Sequence, residues 1–323
     1  MAGMATKSTS GMDSNHTVPH SFLDDRCLVA GKPSANLALF HSLRLLPGVQ
    51  SGKILEKGVL MTSILFSVPP PLPVSAFGRV WHVTAWLEPV WWSDGRLAAL
   101  EVLSRLHDRD SGVQGSPELF FSQLALPEQF RVLCWQLEIL VLMKPWCTAR
   151  KVMVSLNITR PLAVLSLSTP EVKEKLLLLA PCVRLEISEN FLLPNSQPAQ
   201  DCLLPSLQQL APLWLDDFGT GSTGLSWLMS GMFEVLKIAR PLIEVLKISP
   251  GGETFLAGLC GLAQGVRAQV IAEGVADLNM LTFVRKNQVS GCQGWLWPGF
   301  SLDQLHRLPD RLPMGKHGDA SAS

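Results

Sequence analysis

The sequence predicts an α/β fold, a TIM-like (β/α)8 barrel with one antiparallel strand, preceded by a poorly structured N-terminal segment. Three observations carry this. From about Trp81 onward, short β-rich apolar runs alternate with longer helical stretches, the pattern of a largely parallel sheet wrapped by helices. Eight candidate strands fall between residues 80 and 312, a length usual for one closed barrel. Residues 90–96 alone separate the first two candidates, and the Asp94-Gly95 turn signal within them predicts a hairpin, hence one antiparallel strand.

Residues 1–78 differ from the rest. Residues 1–19 are rich in Ser, Thr, Gly and Met without a period, and residues 34–46 fit one short helix, too little to fold alone. Two readings stay open for this extension. It is a disordered arm, or it is not translated and Met61 is the start. Residues 56–59 (Glu-Lys-Gly-Val) require purine-rich codons that can hide a ribosome-binding sequence just ahead of Met61. The domain follows over 79–312, and 313–323 reads as a disordered tail. The candidate strands are 82–89, 97–103, 151–156, 183–187, 212–215, 235–238, 269–272 and 291–296. Helical patterns between them include 127–142, 169–179, 224–229 and 252–264.

Composition narrows the function classes. Lys plus Arg equals Asp plus Glu at 27 each, so no long-range field gathers nucleic acid or anionic membrane, and no nucleic-acid partner is expected. Seven cysteines without CxxC spacing fit neither a disulfide framework nor a zinc cluster, so reduced thiols in a cytoplasmic protein are expected. The apolar run 59–77 is broken by Pro69, Pro70, Pro71 and Pro73, well short of the roughly 20 residues a helical membrane span needs, so no membrane span is expected.

Polar residues fall at strand ends. Glu101 lies near the end of the second candidate, Asn157 ends the third, Glu186 lies within the fourth, Asp216-Asp217 end the fifth, Lys237 lies in the sixth and Glu273 ends the seventh. In a parallel barrel such residues converge on one mouth, where active sites of this fold are built. Five carboxylates and an amide without His or Cys suit hard divalent cations, magnesium or manganese, better than zinc. Singly, each has a bland alternative. Glu101 can be a solvated edge residue, Leu215–Gly221 a strand running into a Gly-rich turn, and Lys237 a snorkelling lysine. Their joint order is what points to chemistry.

The segments Leu-Glu-Val-Leu-Ser-Arg (100–105), Ser-Leu-Asn (155–157), Leu-Glu-Ile-Ser-Glu (185–189), Leu-Asp-Asp-Phe-Gly-Thr-Gly (215–221), Leu-Lys-Ile (236–238), Val-Ile-Ala-Glu-Gly-Val (270–275) and Gln-Gly-Trp-Leu (293–296) resemble the EAL family of cyclic di-GMP phosphodiesterases, in the family's order. The stand-alone branch of enteric bacteria that governs motility and fimbriae looks nearest. The resemblance implies hydrolysis of cyclic di-GMP to linear pGpG with two magnesium or manganese ions. It implies Glu101, Asn157, Glu186, Asp216 and Asp217 as metal ligands, with Glu273 nearby through water. Lys237 would orient or help deprotonate the attacking water, and Gln293 would support it. Arg105 would pair with a substrate phosphate, and Glu189 would tie down the Asp-Asp-Phe-Gly-Thr-Gly loop, which the family uses at its dimer contact, so a homodimer is expected. Phe218 or Trp295 would stack on guanine or serve as core aromatics.

Four departures stand out. Leu87-Glu88-Pro89 replaces Tyr-Gln-Pro, placing the Glu88 carboxylate where an amide near substrate is usual. Val102 replaces the Ala of the EAL triplet, Ala239 replaces an Asp, and Trp297-Pro298-Gly299-Phe300 replaces Phe-Ser-Arg-Pro. They keep a second reading open, a non-catalytic EAL-like regulator that binds cyclic di-GMP or a partner protein.

Overall fold

The computed structural model describes residues 68–191, 197–221 and 224–312. The expectations for residues 1–67 and 313–323, including the helix over 34–46 and a start at Met61, lie outside the described residues. Among the described residues the strands are β1 (Leu72–Ala76), β2 (Arg79–Trp92), β3 (Leu97–Asp108), β4 (Gln114–Gly115), β5 (Met153–Asn157), β6 (Val183–Ser188), β7 (Leu213–Phe218), β8 (Phe233–Ile238), β9 (Gln269–Ala272), β10 (Gly291–Gln293) and β11 (Phe300–Ser301). Eight of them, β2, β3 and β5 to β10, close on themselves because β2 pairs with both β3 and β10. Both of those pairings are antiparallel and the others in the ring are parallel, so β2 is the one reversed strand. The barrel with one antiparallel strand is therefore as the sequence predicts.

The helices are α1 (Pro117–Gln123), α2 (Leu126–Arg150), α3 (Arg160–Ser168), α4 (Pro170–Leu179), α5 (Leu203–Gln208), α6 (Ser226–Met229), α7 (Arg240–Ile248), α8 (Gly252–Gly265) and α9 (Leu278–Lys286). Several begin with Pro at the first turn, where its missing N–H costs nothing. The main apolar layer lies between them and the strands, with Leu137, Leu156, Leu185, Leu215, Leu236 and Leu256 among its buried members. Among the described residues α2 is one helix long and apolar enough to cross a membrane. Its Phe130, Leu133, Leu137, Leu140 and Met143 are instead buried in this layer. The sequence had singled out only residues 59–77 as apolar enough to imitate a span, and α2 adds a second stretch.

The first hairpin departs from the sequence expectation. β2 and β3 run longer than 82–89 and 97–103, pairing from Trp91 with Leu97 out to Trp81 with Asp108. β1 and β4 extend this ribbon, so residues 72–76, placed in the N-terminal extension by sequence, form a strand against Arg79–Val83. Glu101 thus lies in the middle of β3 rather than near its end. It still stands at the barrel mouth, because β5 accompanies β3 only over Ala99–Glu101 and the remainder projects as hairpin.

Candidate active site

Strand periodicity of two builds the site. Inside the barrel a small apolar floor gathers Val90, Ala99, Trp214, Val235 and Ile271, with Met153 packed against it. Two residues further along the same strands, on the same face, stand Glu101 after Ala99, Asp216 after Trp214, Lys237 after Val235 and Glu273 after Ile271. Asn157 follows Met153 by four. Parallel register levels them, with Glu101 beside Ser155, Asn157 beside Glu186 and Ser188 beside Asp216. On the reversed strand Glu88 faces Glu101 directly, and Gln293 on β10 faces Val90.

The fully buried Lys237 is the centre. Its Nζ donates to Glu186 Oε2 at 2.7 Å and to Glu101 Oε2 at 3.1 Å. It also lies 2.8 Å from Glu273 Oε1 and 3.0 Å from Asp216 Oδ1. Asn157 Nδ2 donates to Glu101 Oε1 at 3.0 Å, and Gln293 Nε2 donates to Glu101 Oε2 at 2.6 Å. Glu101, Asn157, Glu186, Asp216, Lys237, Glu273 and Gln293 are thereby brought together from the seven parallel strands of the ring.

Burial works against the Lys237 ammonium, but Asp216, Glu101, Glu186 and Glu273 outweigh it and hold its pKa well above that of a free lysine. Burial, then Glu101, pushes Glu186 up to about 8. Burial likewise raises Glu273 well above the usual carboxylate range. Glu101 is also buried, yet Lys237 and the Gln293 amide bring it below its ordinary value. Burial and the mutual repulsion of neighbouring carboxylates, which raise Glu186 and Glu273, mark a crowded negative cluster around Lys237.

Asp217 stands apart from the lysine cage. The register slips between Leu215 and Phe218, and Asp217 takes the left-handed conformation with φ 57°, which turns it to the exposed side of the bulge. Burial and then Asp216 push its carboxyl above its usual range. Glu189, at the end of β6, is buried and accepts from the Gly219 amide at 3.2 Å and from the Gly221 amide. A Cβ on Gly221 would meet Glu189 Oε2 at 2.4 Å, so glycine is required for this approach.

Arg105 lies on the hairpin rim, with Nη2 3.5 Å from Glu88 Oε1 and its guanidinium 4.9 Å from the centre of the Trp86 ring. Trp86 was not singled out by sequence, although alternation along β2 places it on the face of Glu88. Burial and the facing Glu101 raise the Glu88 pKa. Arg105 and Asn157 also border a cavity of about 280 Å³ walled by Leu103, Phe121, Leu133 and Leu162. Phe218 is buried in the core, whereas Trp295 is 72% exposed with the Arg240 guanidinium 4.3 Å from its ring centre.

The oxygens left over test the fit to a divalent cation. Glu186 Oε1, Asp216 Oδ1 and Gln293 Oε1 are buried without a hydrogen-bond partner, Asp216 Oδ1 despite its proximity to Lys237. Unsatisfied buried oxygens are costly, and an all-oxygen set suits magnesium or manganese. The donor types present fit such an ion, although among the described residues no three acidic, His or Cys side chains are arranged to hold a metal, and Lys237 stands among the carboxylates.

Comparison with known proteins agrees with this architecture. The EAL domain family matches residues 79–298. The cyclic di-GMP phosphodiesterase PdeH of Escherichia coli (strain K12) is 29% identical over 209 residues, spanning 64% of this chain and 80% of that protein. The anti-FlhC(2)FlhD(4) factor YdiV of Salmonella paratyphi B (strain ATCC BAA-1250 / SPB7) is 23% identical over 239 residues, 74% of this chain and all of that protein (100%). Among solved structures, the EAL-like domain protein YdiV superposes with a TM-score of 0.64 at 22% identity, covering 70% of this chain and 96% of its own. The PaMucR phosphodiesterase in its c-di-GMP complex gives 0.57 at 21% identity, covering 69% and 94%. Those two likenesses establish the shared fold, and with the match of the family over most of the barrel the chain belongs to the EAL domain family.

Proposed function

We propose that this protein is a metal-dependent phosphodiesterase that opens cyclic di-GMP to linear pGpG. The observation that carries it is Lys237 Nζ held within 3.1 Å of oxygens from Glu101, Glu186, Asp216 and Glu273 at the barrel mouth. In the reaction a water oxygen bonds to phosphorus and one ring P–O bond breaks, leaving a 5′-phosphate and a free 3′-hydroxyl.

Glu101, Asn157, Glu186 and Asp216 would hold one magnesium or manganese ion, and Asp216 with Asp217 a second, with Glu273 nearby. When bound, such ions supply Lewis acidity and neutralise phosphate charge. Lys237 keeps its proton, and its N–H groups are taken up by the surrounding carboxylates, so it holds Glu101, Glu186, Asp216 and Glu273 in place rather than abstracting a proton. Gln293 holds Glu101 in place. Arg105, a cation on the rim, donates to the two non-bridging phosphate oxygens in the bidentate manner of guanidinium. Glu189 fixes the loop that follows Asp216 and Asp217, and that loop is where a homodimer contact would form. A cytoplasmic location suits a cyclic dinucleotide substrate.

One observation favours a second reading, a non-catalytic EAL-like regulator that binds cyclic di-GMP or a partner protein. Arg105 is already paired with Glu88, which weakens its hold on an anionic ligand, and the relative YdiV is named for action on a protein complex. Purified protein incubated with cyclic di-GMP and magnesium decides between them. Steady pGpG formation abolished by Glu101→Ala supports the enzyme. Binding without turnover supports the regulator and overturns the hydrolase.

A further inference from the structure

The hairpin ladder sets Glu88 directly opposite Glu101, a like-charge pair of the kind that destabilises neighbouring strands. Arg105, four residues beyond Glu101 on β3, reaches back to Glu88 at 3.5 Å while its guanidinium lies against the Trp86 ring. Trp86 is itself held by the C-terminal segment, because Phe300 and Ser301 pair with Leu87 and Trp86. A Cβ on Gly299 would fall 2.2 Å from Trp86 Nε1. The pair is only partly covered, with side-chain exposures of 33% for Arg105 and 28% for Glu88, and it sits on the hairpin beside the mouth.

We propose that Glu88 is an affinity-setting latch: its carboxylate occupies the Arg105 guanidinium, and a phosphate group must displace it to bind. This rests on the cyclic di-GMP reading of the site. Three features of the geometry support it. Glu88 and Arg105 are close enough to attract but share no short hydrogen bond, and Glu88 has Gln293 as a second partner, so the pair can exchange partners. The Trp86 face keeps the guanidinium plane in place once Glu88 lets go. The carboxylates already at the mouth give Glu88 a repulsive reason to stay on Arg105 until a phosphate competes for it.

The test uses the full chain with magnesium and a hydrolysis-resistant phosphorothioate analogue of cyclic di-GMP, with affinity read by calorimetry and folding checked by thermal melts. Glu88→Gln, which keeps the shape and removes the charge, is expected to tighten binding about tenfold. In an Arg105→Ala background the same change is expected to alter affinity by less than about twofold, because the partner of the latch is gone. Equal or weaker binding by Glu88→Gln overturns the proposal. So does a full gain that persists without Arg105, which would assign the effect to general repulsion. If neither the unaltered chain nor any variant binds the analogue, the cyclic di-GMP reading fails and the latch with it, a result distinct from the other two.

Discussion

Lys237 Nζ lies 2.7 Å from Glu186 Oε2, with both side chains sealed from solvent at the foot of the barrel mouth. A buried ammonium in that position holds apart carboxylates that would otherwise repel, so it is structural as well as chemical. Lys237→Met is expected to destabilise the metal-free protein by about 3–5 kcal/mol, the usual cost of stranding buried charge. Added manganese is expected to raise the melting temperature of the variant more than that of the unaltered chain, since the cation replaces the lost charge. Urea unfolding with and without manganese measures both. Unchanged stability in the variant would show that the carboxylates are not held together by the lysine.

The Glu189 carboxylate binds the amides of Gly219 and Gly221, coupling the end of β6 to the loop after Asp216 and Asp217. Glu189→Ala is expected to cost about 1–3 kcal/mol by leaving those amides without their partner. Turnover should fall by at least about tenfold, because positioning errors of an ångström are amplified in rate. Gly221→Ala should reproduce the turnover loss through the clash with Glu189. The readouts are the denaturation midpoint and the rate of pGpG release. A Glu189→Ala protein as active as the parent would detach the loop from catalysis.

Far from the mouth, Asp108 ends the hairpin strand β3. The Ser111 amide at 3.0 Å, the Arg79 guanidinium at 2.7 Å and the Asp110 amide at 2.9 Å hold its pKa down to about 2. The unfolded value is about 3.9. A depressed folded pKa means this stabilisation is complete above the unfolded value and is lost as pH falls through the folded one. Asp108→Asn is therefore expected to lower stability near neutrality and to flatten the decline as pH drops below about 4. Denaturation midpoints across the acid range report it, and parallel curves for the two proteins would contradict it.

Much of the barrel was legible because β-branched and aliphatic runs repeat between helical patterns, and because Asp94-Gly95 forces β2 to reverse. The reach of β2 and β3 beyond the barrel was not. It depends on pairing with β1 and β4, a tertiary contact with no local signature. The order of Glu101, Asn157, Glu186, Asp216, Lys237 and Glu273 at strand ends pointed to one mouth. The central placement of Lys237 could not be read, since it requires levelling six strands by register. The bulge that turns Asp217 outward was also hidden, because a positive φ at an aspartate leaves no mark in a single sequence. The Glu88 to Arg105 contact was within reach, because cross-strand spacing from the Asp94-Gly95 turn puts both on one face, and the sequence offered their charges without their pairing.

Among the described residues the mouth offers oxygen ligands from Glu101, Asn157, Glu186 and Asp216, and Glu186 leaves a buried oxygen without a hydrogen-bond partner. Hard cations of different size should therefore compete for the same atoms with different consequences. Magnesium requires six near-ideal bonds of roughly 2.0–2.1 Å, whereas calcium accepts looser shells at roughly 2.3–2.6 Å. Side chains rooted on rigid strands cannot widen freely, so calcium would bind yet leave the phosphodiester and water misplaced relative to Lys237. Treatment with a chelator is expected to abolish pGpG formation. Magnesium or manganese should restore it, and calcium should protect the fold against heat without restoring turnover. Parallel thermal melts and product assays separate binding from chemistry. Calcium supporting the magnesium rate would mean that the oxygen cage does not set the geometry of the reaction.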